Sequence, residues 1–185
     1  FYFENLRIVP REMYGIELLL GSEVNILDAQ GTVDLSQRTM EKLDIIIASL
    51  HTPCMTPGSR QENTDAYLNA MKNPCINIIG HPDDGRYEVD YEALVQGDKR
   101  IWKDPGTEQP FHGSGCSRSN AIENDTVMLN YCKKYQVPIV MDSDAHFDLL
   151  IGEFDMAREL LTKLDFPEEL VLNRSVDAVK KYLGR

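Results

Sequence analysis

Short apolar runs recur along the chain, and several end in a side chain able to hold a metal ion. Asp44-Ile45-Ile46-Ile47-Ala48-Ser49-Leu50 runs into His51, and Ile76-Asn77-Ile78-Ile79-Gly80 runs into His81. Pro138-Ile139-Val140-Met141 leads to Asp142-Ser143-Asp144-Ala145-His146, and Ile16-Glu17-Leu18-Leu19-Leu20-Gly21-Ser22 leads to Glu23. Apolar runs of this length bounded by turn residues read as buried strands. Strands buried on both faces belong to parallel sheets covered by helices. Four strands are therefore expected, ending at Glu23, His51, His81 and the pair Asp144 and His146.

Helical spacing fills the intervals. After a turn at Asp28-Ala29-Gln30-Gly31, Ser36 reads as the N-cap of a short helix over 37–43. Residues 60–72 place Tyr67, Leu68 and Met71 on one face. Further helices are expected over 90–96, over 123–135 with Val127, Leu129 and Cys132 among the apolar positions, over 151–164, and over 175–183. A turn and short strand are expected at 167–172. Strands alternating with helices predict a parallel α/β fold, and 185 residues suit one domain, 1–185.

Composition narrows the function. Nineteen basic against 30 acidic residues give a net charge of -11, which argues against broad nucleic-acid or anionic-membrane binding. An anionic substrate stays possible, because bound cations reverse a local field. Cys54, Cys75, Cys116 and Cys132 are scattered without a CxxC pair and read as free thiols of a reducing compartment, the cytoplasm. No run reaches the roughly 18 apolar residues of a membrane span.

Asp144 and His146, two apart on an extended segment, point the same way, as suits a transition-metal site, although Asp and Ser are also favoured in caps and turns. The recurrence decides. Three of the four histidines and two acids fall at the same end of successive strands, where parallel folds place their chemistry. A metal cluster is the better reading than satisfied core histidines. Only a barrel or similarly wound sheet brings those ends together.

As a set, Gly21-Ser22-Glu23, Leu50-His51-Thr52-Pro53, Gly80-His81-Pro82 and Ser143-Asp144-Ala145-His146 resemble the later metal motifs of the PHP family, named for polymerase-associated and histidinol phosphatase domains. The likeness is greatest to its small stand-alone bacterial phosphoesterases. Ile151-Gly152-Glu153-Phe154 and Val171-Leu172-Asn173 resemble that group's tail. The resemblance implies a distorted seven-stranded (βα) barrel, here incomplete at the N-terminus, with up to three divalent metal ions. It implies that Glu23 bridges two ions, His51 and His81 complete the shell of the second, Asp144 binds the first and His146 the third. Glu23 and Asp144 are the residues it marks as catalytic. Zinc is the first expectation for the ion, with manganese or iron admitted by the carboxylates.

Two departures from the family stand out. Its opening His-x-His and Thr-Asp-His motifs are absent; the chain begins Phe1-Tyr2-Phe3-Glu4-Asn5 without a Met, so the N-terminal strands are expected to be missing. Glu23, His51 and His81 then form the most nearly whole ligand set. Second, residues 97–115 are polar and unpatterned where the family carries a helix end and a strand like Leu-Glu-Ile-Asn-Asn. One codon spelling of 97–109, read one base later, yields Ala-Thr-Lys-Glu-Tyr-Gly-Lys-Thr-Leu-Glu-Leu-Asn, and the segment is expected to be frameshifted; a polar insertion loop is the alternative.

The expected function is metal-dependent hydrolysis of a small phosphate monoester by a metal-activated water. The alternatives are a metal-binding but inactive fragment, or a PHP-type nuclease or amidohydrolase-like hydrolase. No nucleic-acid partner is expected, and Trp102 lies outside any stacking pattern. Arg86 or Arg118 is a candidate phosphate contact, against a plain solubilising role. Asp142 reads either as support for a ligand or as a turn residue, Asp83-Asp84 as turn chemistry, and His112 is given no role.

Overall fold

The apolar run at 45–49 becomes the middle strand of a parallel sheet. In this computed structural model, residue 6, residues 8–97 and residues 120–184 are described. Trp102, His112, Cys116, Arg118 and the proposed frameshift after Gly97 lie outside the described residues. In chain order the elements are β1 (Glu12–Met13), β2 (Ile16–Glu17), β3 (Gly21–Asn25), α1 (Gln37–Met40), β4 (Ile45–Ser49), α2 (Arg60–Ala70), β5 (Ile78–Ile79), α3 (Tyr91–Gly97), α4 (Ala121–Tyr135), α5 (Asp155–Lys163) and α6 (Val176–Tyr182). Short 3-10 turns occupy Asp148–Leu150, Glu168–Leu170 and Leu172–Arg174.

Strands β3, β4 and β5 lie side by side in that order, all parallel, with Glu23 opposite Ile47, Asn25 opposite Ser49, and Ile47 opposite Ile78. Strand β3 approaches β4 so closely at Gly21 that a Cβ there would fall 2.4 Å from the Ile45 side chain. Strands β1 and β2 form a separate antiparallel hairpin. Its turn residues Tyr14 and Gly15 have φ of 54° and 77°, the left-handed pair that tight hairpins need.

Two apolar clusters fill the interior. Val24, Ile46, Ala48, Leu50, Ile79 and the α2 residues Ala66 and Tyr67 make the first. Met128, Leu129 and Cys132 of α4 pack with Val137, Ile139, Leu160 and Val171 in the second, and Tyr91 touches both. Full burial of each large apolar side chain is worth about 1.5–3 kcal/mol. Among the described residues no helix is long and apolar enough to cross a membrane.

Several expected boundaries shift. Glu23 lies in the middle of its strand rather than at its end, because β3 starts at Gly21 and runs on to Asn25. The preceding apolar run does not extend that strand. The backbone of Leu20 is drawn to the Asp44 carboxylate instead (2.7 Å), and Ile16 stays 63% exposed in the hairpin. Helix α1 stops at Met40, capped at its start by Ser36 as expected. Helix α5 starts at Asp155, not 151, since Gly152 has φ 86°, outside helical space. Among the described residues the Pro138 run pairs through a parallel bridge, Ile139 to Val171, and not as a full strand. On α4 the buried residues are Ala121, Asp125, Met128, Leu129 and Cys132, and Val127 points outward.

Candidate functional site

Period-two alternation puts Glu23 and Asn25 on one face of β3, and parallel register sets Asn25 against Ser49 at the end of β4. His51 comes two residues after β4, and His81 two residues after β5. The three neighbouring strands thus deliver their polar side chains to one rim. Glu23 Oε1 lies 3.1 Å from His81 Nε2 and 3.7 Å from His51 Nε2. The two Nε2 atoms are 3.1 Å apart, and the rings meet edge to face at 67°.

The donor set fits a divalent cation. Ligands about 2.0–2.1 Å from a tetrahedral ion stand about 3.3 Å from one another, close to the 3.1, 3.1 and 3.7 Å seen here. Two imidazoles and a carboxylate form the kind of mixed set that binds zinc and its neighbours, with a fourth position left for water or substrate. Glu23 and His51 are each about one third exposed, so the cluster opens to solvent, while His81 seals its floor at 3% exposure. His81 also takes φ 30°, a strained conformation for a residue with a Cβ, and its buried Nδ1 has no hydrogen-bond partner among the described residues. Strain of this kind costs of order 1–3 kcal/mol and concentrates at functional sites.

Neighbours fix the carboxylate. Ser49, itself fully buried, donates its Oγ–H to Glu23 Oε1 at 2.5 Å. Burial pushes the Glu23 carboxyl up, but the hydrogen bonds from His81 and Ser49 and the charges of both imidazoles outweigh it and hold the pKa at about 2. Glu23 is therefore an anion throughout the neutral range. His51 Nδ1 meets Asn25 Oδ1 at 2.8 Å.

Among the described residues, Glu23, His51 and His81 are the only group of three or more potential metal ligands whose ligand atoms lie within 4.8 Å of one another. Asp144 and His146 are outside it. Asp144 has φ 42°, its N–H donates to Asp142 Oδ1 at 2.8 Å, and His146 Nδ1 sits 2.7 Å from the Asp144 carbonyl with the imidazole 69% exposed. Asp142 thus supports the backbone of Asp144. Asp83 and Asp84 do more than form a turn. Both are buried, and Asp84 grips Arg86 through Nε (2.9 and 3.0 Å) and Nη2 (2.5 Å). Burial raises the Asp84 carboxyl, and the bonds and charge of Arg86 reverse this to lower it below the usual aspartate range. Sequence patterning missed Ser49 and Asn25; the available signal was that Asn25 follows Glu23 by two on a strand.

The fold and site define an α/β protein with a Glu–His–His cluster on the rim of a parallel sheet. No protein-family model matches the chain. Curated relatives named "Probable phosphatase" do: one from Clostridium novyi is 41% identical over 182 residues, 98% of this chain and 74% of the relative. Another, from Caldanaerobacter subterraneus subsp. tengcongensis, is 41% identical over 99% of this chain and 72% of its own length. A third, from Caldicellulosiruptor saccharolyticus, is 42% identical over 98% and 75%. Among solved structures, a chain in the cryo-EM structure of archaeal ribonuclease P with mature tRNA matches with a TM-score of 0.56, covering 92% of this chain and 70% of that one; at 18% identity the likeness is one of fold alone. The chain belongs to the family of these bacterial probable phosphatases.

Proposed function

We propose that this chain is a metal-dependent phosphoesterase of the PHP type, hydrolysing a small phosphate monoester in the cytoplasm. The observation that carries the reading is the convergence of Glu23, His51 and His81 on one open point at the strand rim. The relatives' name supplies the reaction class. Cys54 and Cys75 are free thiols, in keeping with a reducing compartment. In this reading the parallel β3–β4–β5 sheet and the parallel Ile139–Val171 bridge are parts of a seven-stranded barrel.

Divalent ions, zinc foremost, would polarise the phosphoryl oxygens and generate a hydroxide nucleophile near neutral pH. The chain supplies the rest. Nε2 of His51, and Nε2 of His81 once it gives up the hydrogen it shares with Glu23, would offer lone pairs, and Glu23 offers a carboxylate already ionised and locked by Ser49. Asp144 and His146 would complete the site from the following strand end, Asp144 held by Asp142. Arg86, in the loop after His81, spends Nε and Nη2 on Asp84, which favours a role in holding that loop over a phosphate contact.

The test is activity of the metal-stripped chain, then with zinc, manganese or iron restored, against a panel of phosphomonoesters, oligonucleotides and amides. Metal-dependent turnover of monoesters is expected, lost in E23Q. Turnover that survives chelation, or a preference for oligonucleotides or amides, overturns the reading.

A further inference from the structure

We propose that Asn25 and Asp34 form a positioning relay that fixes the His51 imidazole with its proton on Nδ1, so that the Nε2 lone pair faces Glu23 and His81. The inference rests on the metal-centre reading above and assigns a task to two residues outside the ligand set.

The argument starts from the acceptor. The Asp34 carboxylate has no hydrogen to give, so whatever touches it must donate. Two groups of Asn25 do: the backbone N–H reaches Asp34 Oδ1 at 3.0 Å and the side-chain Nδ2 reaches Oδ2 at 2.5 Å. That contact settles which way the Asn25 amide points. With Nδ2 on Asp34, Oδ1 is the atom that meets His51 Nδ1 at 2.8 Å. An amide oxygen only accepts, so Nδ1 carries the hydrogen. A neutral imidazole protonated on Nδ1 has its lone pair on Nε2. That Nε2 is the atom 3.1 Å from His81 Nε2 and 3.7 Å from Glu23 Oε1. Ligating histidines are commonly oriented in this way through their other nitrogen.

The relay is anchored from behind. After Asn25 the chain makes an excursion closed by the Ile26–Val33 bridge, with Gly31 N–H donating to the Asp28 carbonyl at 3.0 Å and Leu27 N–H to the Thr32 carbonyl at 2.8 Å. Gly31 has φ 77°, and a Cβ there would stand 2.2 Å from the backbone nitrogen of Ala70 in α2. Asn69 of the same helix donates to the Ala29 carbonyl at 2.8 Å. The excursion is thereby docked against α2 and returns Asp34 to Asn25, where Asp34 N–H meets the Asn25 carbonyl at 3.2 Å. Asp34 faces solvent, so its substitution leaves no buried charge behind.

The test uses an exchange of the two side chains. In N25D/D34N a carboxylate at position 25 accepts from His51 Nδ1, and the amide at position 34 donates to it while its oxygen accepts from the backbone N–H of residue 25. Zinc is titrated into the metal-free full chain against a chromophoric chelator, alongside thermal melts. N25A is expected to weaken zinc about 10–100-fold, D34A less, and N25D/D34N to return to within about threefold of the native chain. A role in stability alone would lower the melting temperature and leave zinc affinity in place. Native affinity in N25A, or an exchange no better than N25A, overturns the relay while leaving the metal centre standing. Absence of zinc binding by the native chain overturns both. Nitrogen-edited imidazole NMR of the native metal-free chain, with His51 assigned by its loss in H51Q, is independent of any variant's folding. It should show the Nδ1–H form, and the Nε2–H form would sink the proposal.

Discussion

The rim of β3–β4–β5 and the strand end at 139–146 carry the same kinds of side chain and differ in what stands behind them. At the first rim, Ser49 holds Glu23, Asn25 holds His51, and His81 is packed to 3% exposure. Each supporting group comes from a residue on the same or the adjacent strand, so the sheet register builds the cluster. At the second, the His146 imidazole is 69% exposed with Nδ1 2.7 Å from the Asp144 carbonyl, and the segment joins the fold through the Ile139–Val171 bridge and the Asn173 amide, which clasps the Met141 backbone. Ligand-type residues at a strand end therefore become a site to the extent that neighbouring strands lock their rotamers. The first rim is prebuilt from neighbouring strands; at the second the His146 ring lies open to solvent.

The largest predicted effect follows directly. H81A should lower both zinc affinity and kcat/KM by at least about a hundredfold, since loss of a direct ligand exceeds the 10–100-fold typical of its supports. H146A should cost less than a tenth as much. The two variants are compared by metal-to-chain ratio and by steady-state phosphatase assay. Equal losses would erase the distinction between the rims and place His146 on the same footing as His81.

The contrast also explains what could be read from the linear chain. His51 and His81 were legible because an apolar run ending in histidine is a local pattern, and Glu23 because Gly-Ser-Glu follows another such run. Their partners were not. Ser49 and Asn25 become relevant only through the register that sets Asn25 opposite Ser49, and Asp34 only through a loop folded back by Gly31. The same limit governs the boundaries. The leucines at 18–20 look like strand, yet Asp44, distant in sequence, captures the backbone there. Helix α2 was well placed because its start is written locally, in Ser59 and Glu62.

A smaller effect tests the loop that carries His81. Asp84 is 1% exposed but its partner Arg86 36%, so solvent screening brings the cost of losing the partner below that of a fully buried pair, to about 2 kcal/mol. R86M should lose roughly that much in urea unfolding at neutral pH. The sign with pH is fixed by the lowered Asp84 pKa: the native pair's stability is present above the unfolded value of 3.8 and disappears as the pH falls through the folded value. The gap between R86M and the native chain should therefore narrow on acidification below that value. A gap that widens would show that the carboxyl is not held down by Arg86.

The smallest effect separates stability from site. Helix α2 opens with a capping box in which the Glu62 backbone donates to Ser59 Oγ at 3.3 Å and Glu62 Oε2 accepts from Ser59 N–H at 2.8 Å. Helix α5, beside the second rim, opens at Phe154 with no side-chain cap. S59A removes the hydroxyl and should cost about 1 kcal/mol, read as a lower urea midpoint with an unchanged slope. Zinc affinity should stay within about twofold, because the ligand supports Ser49 and Asn25 belong to the sheet and not to the helix start. If S59A weakened zinc in step with its loss of stability, the rim would depend on global folding energy, and its register-built rigidity, the basis of the contrast with the strand end at 139–146, would fail.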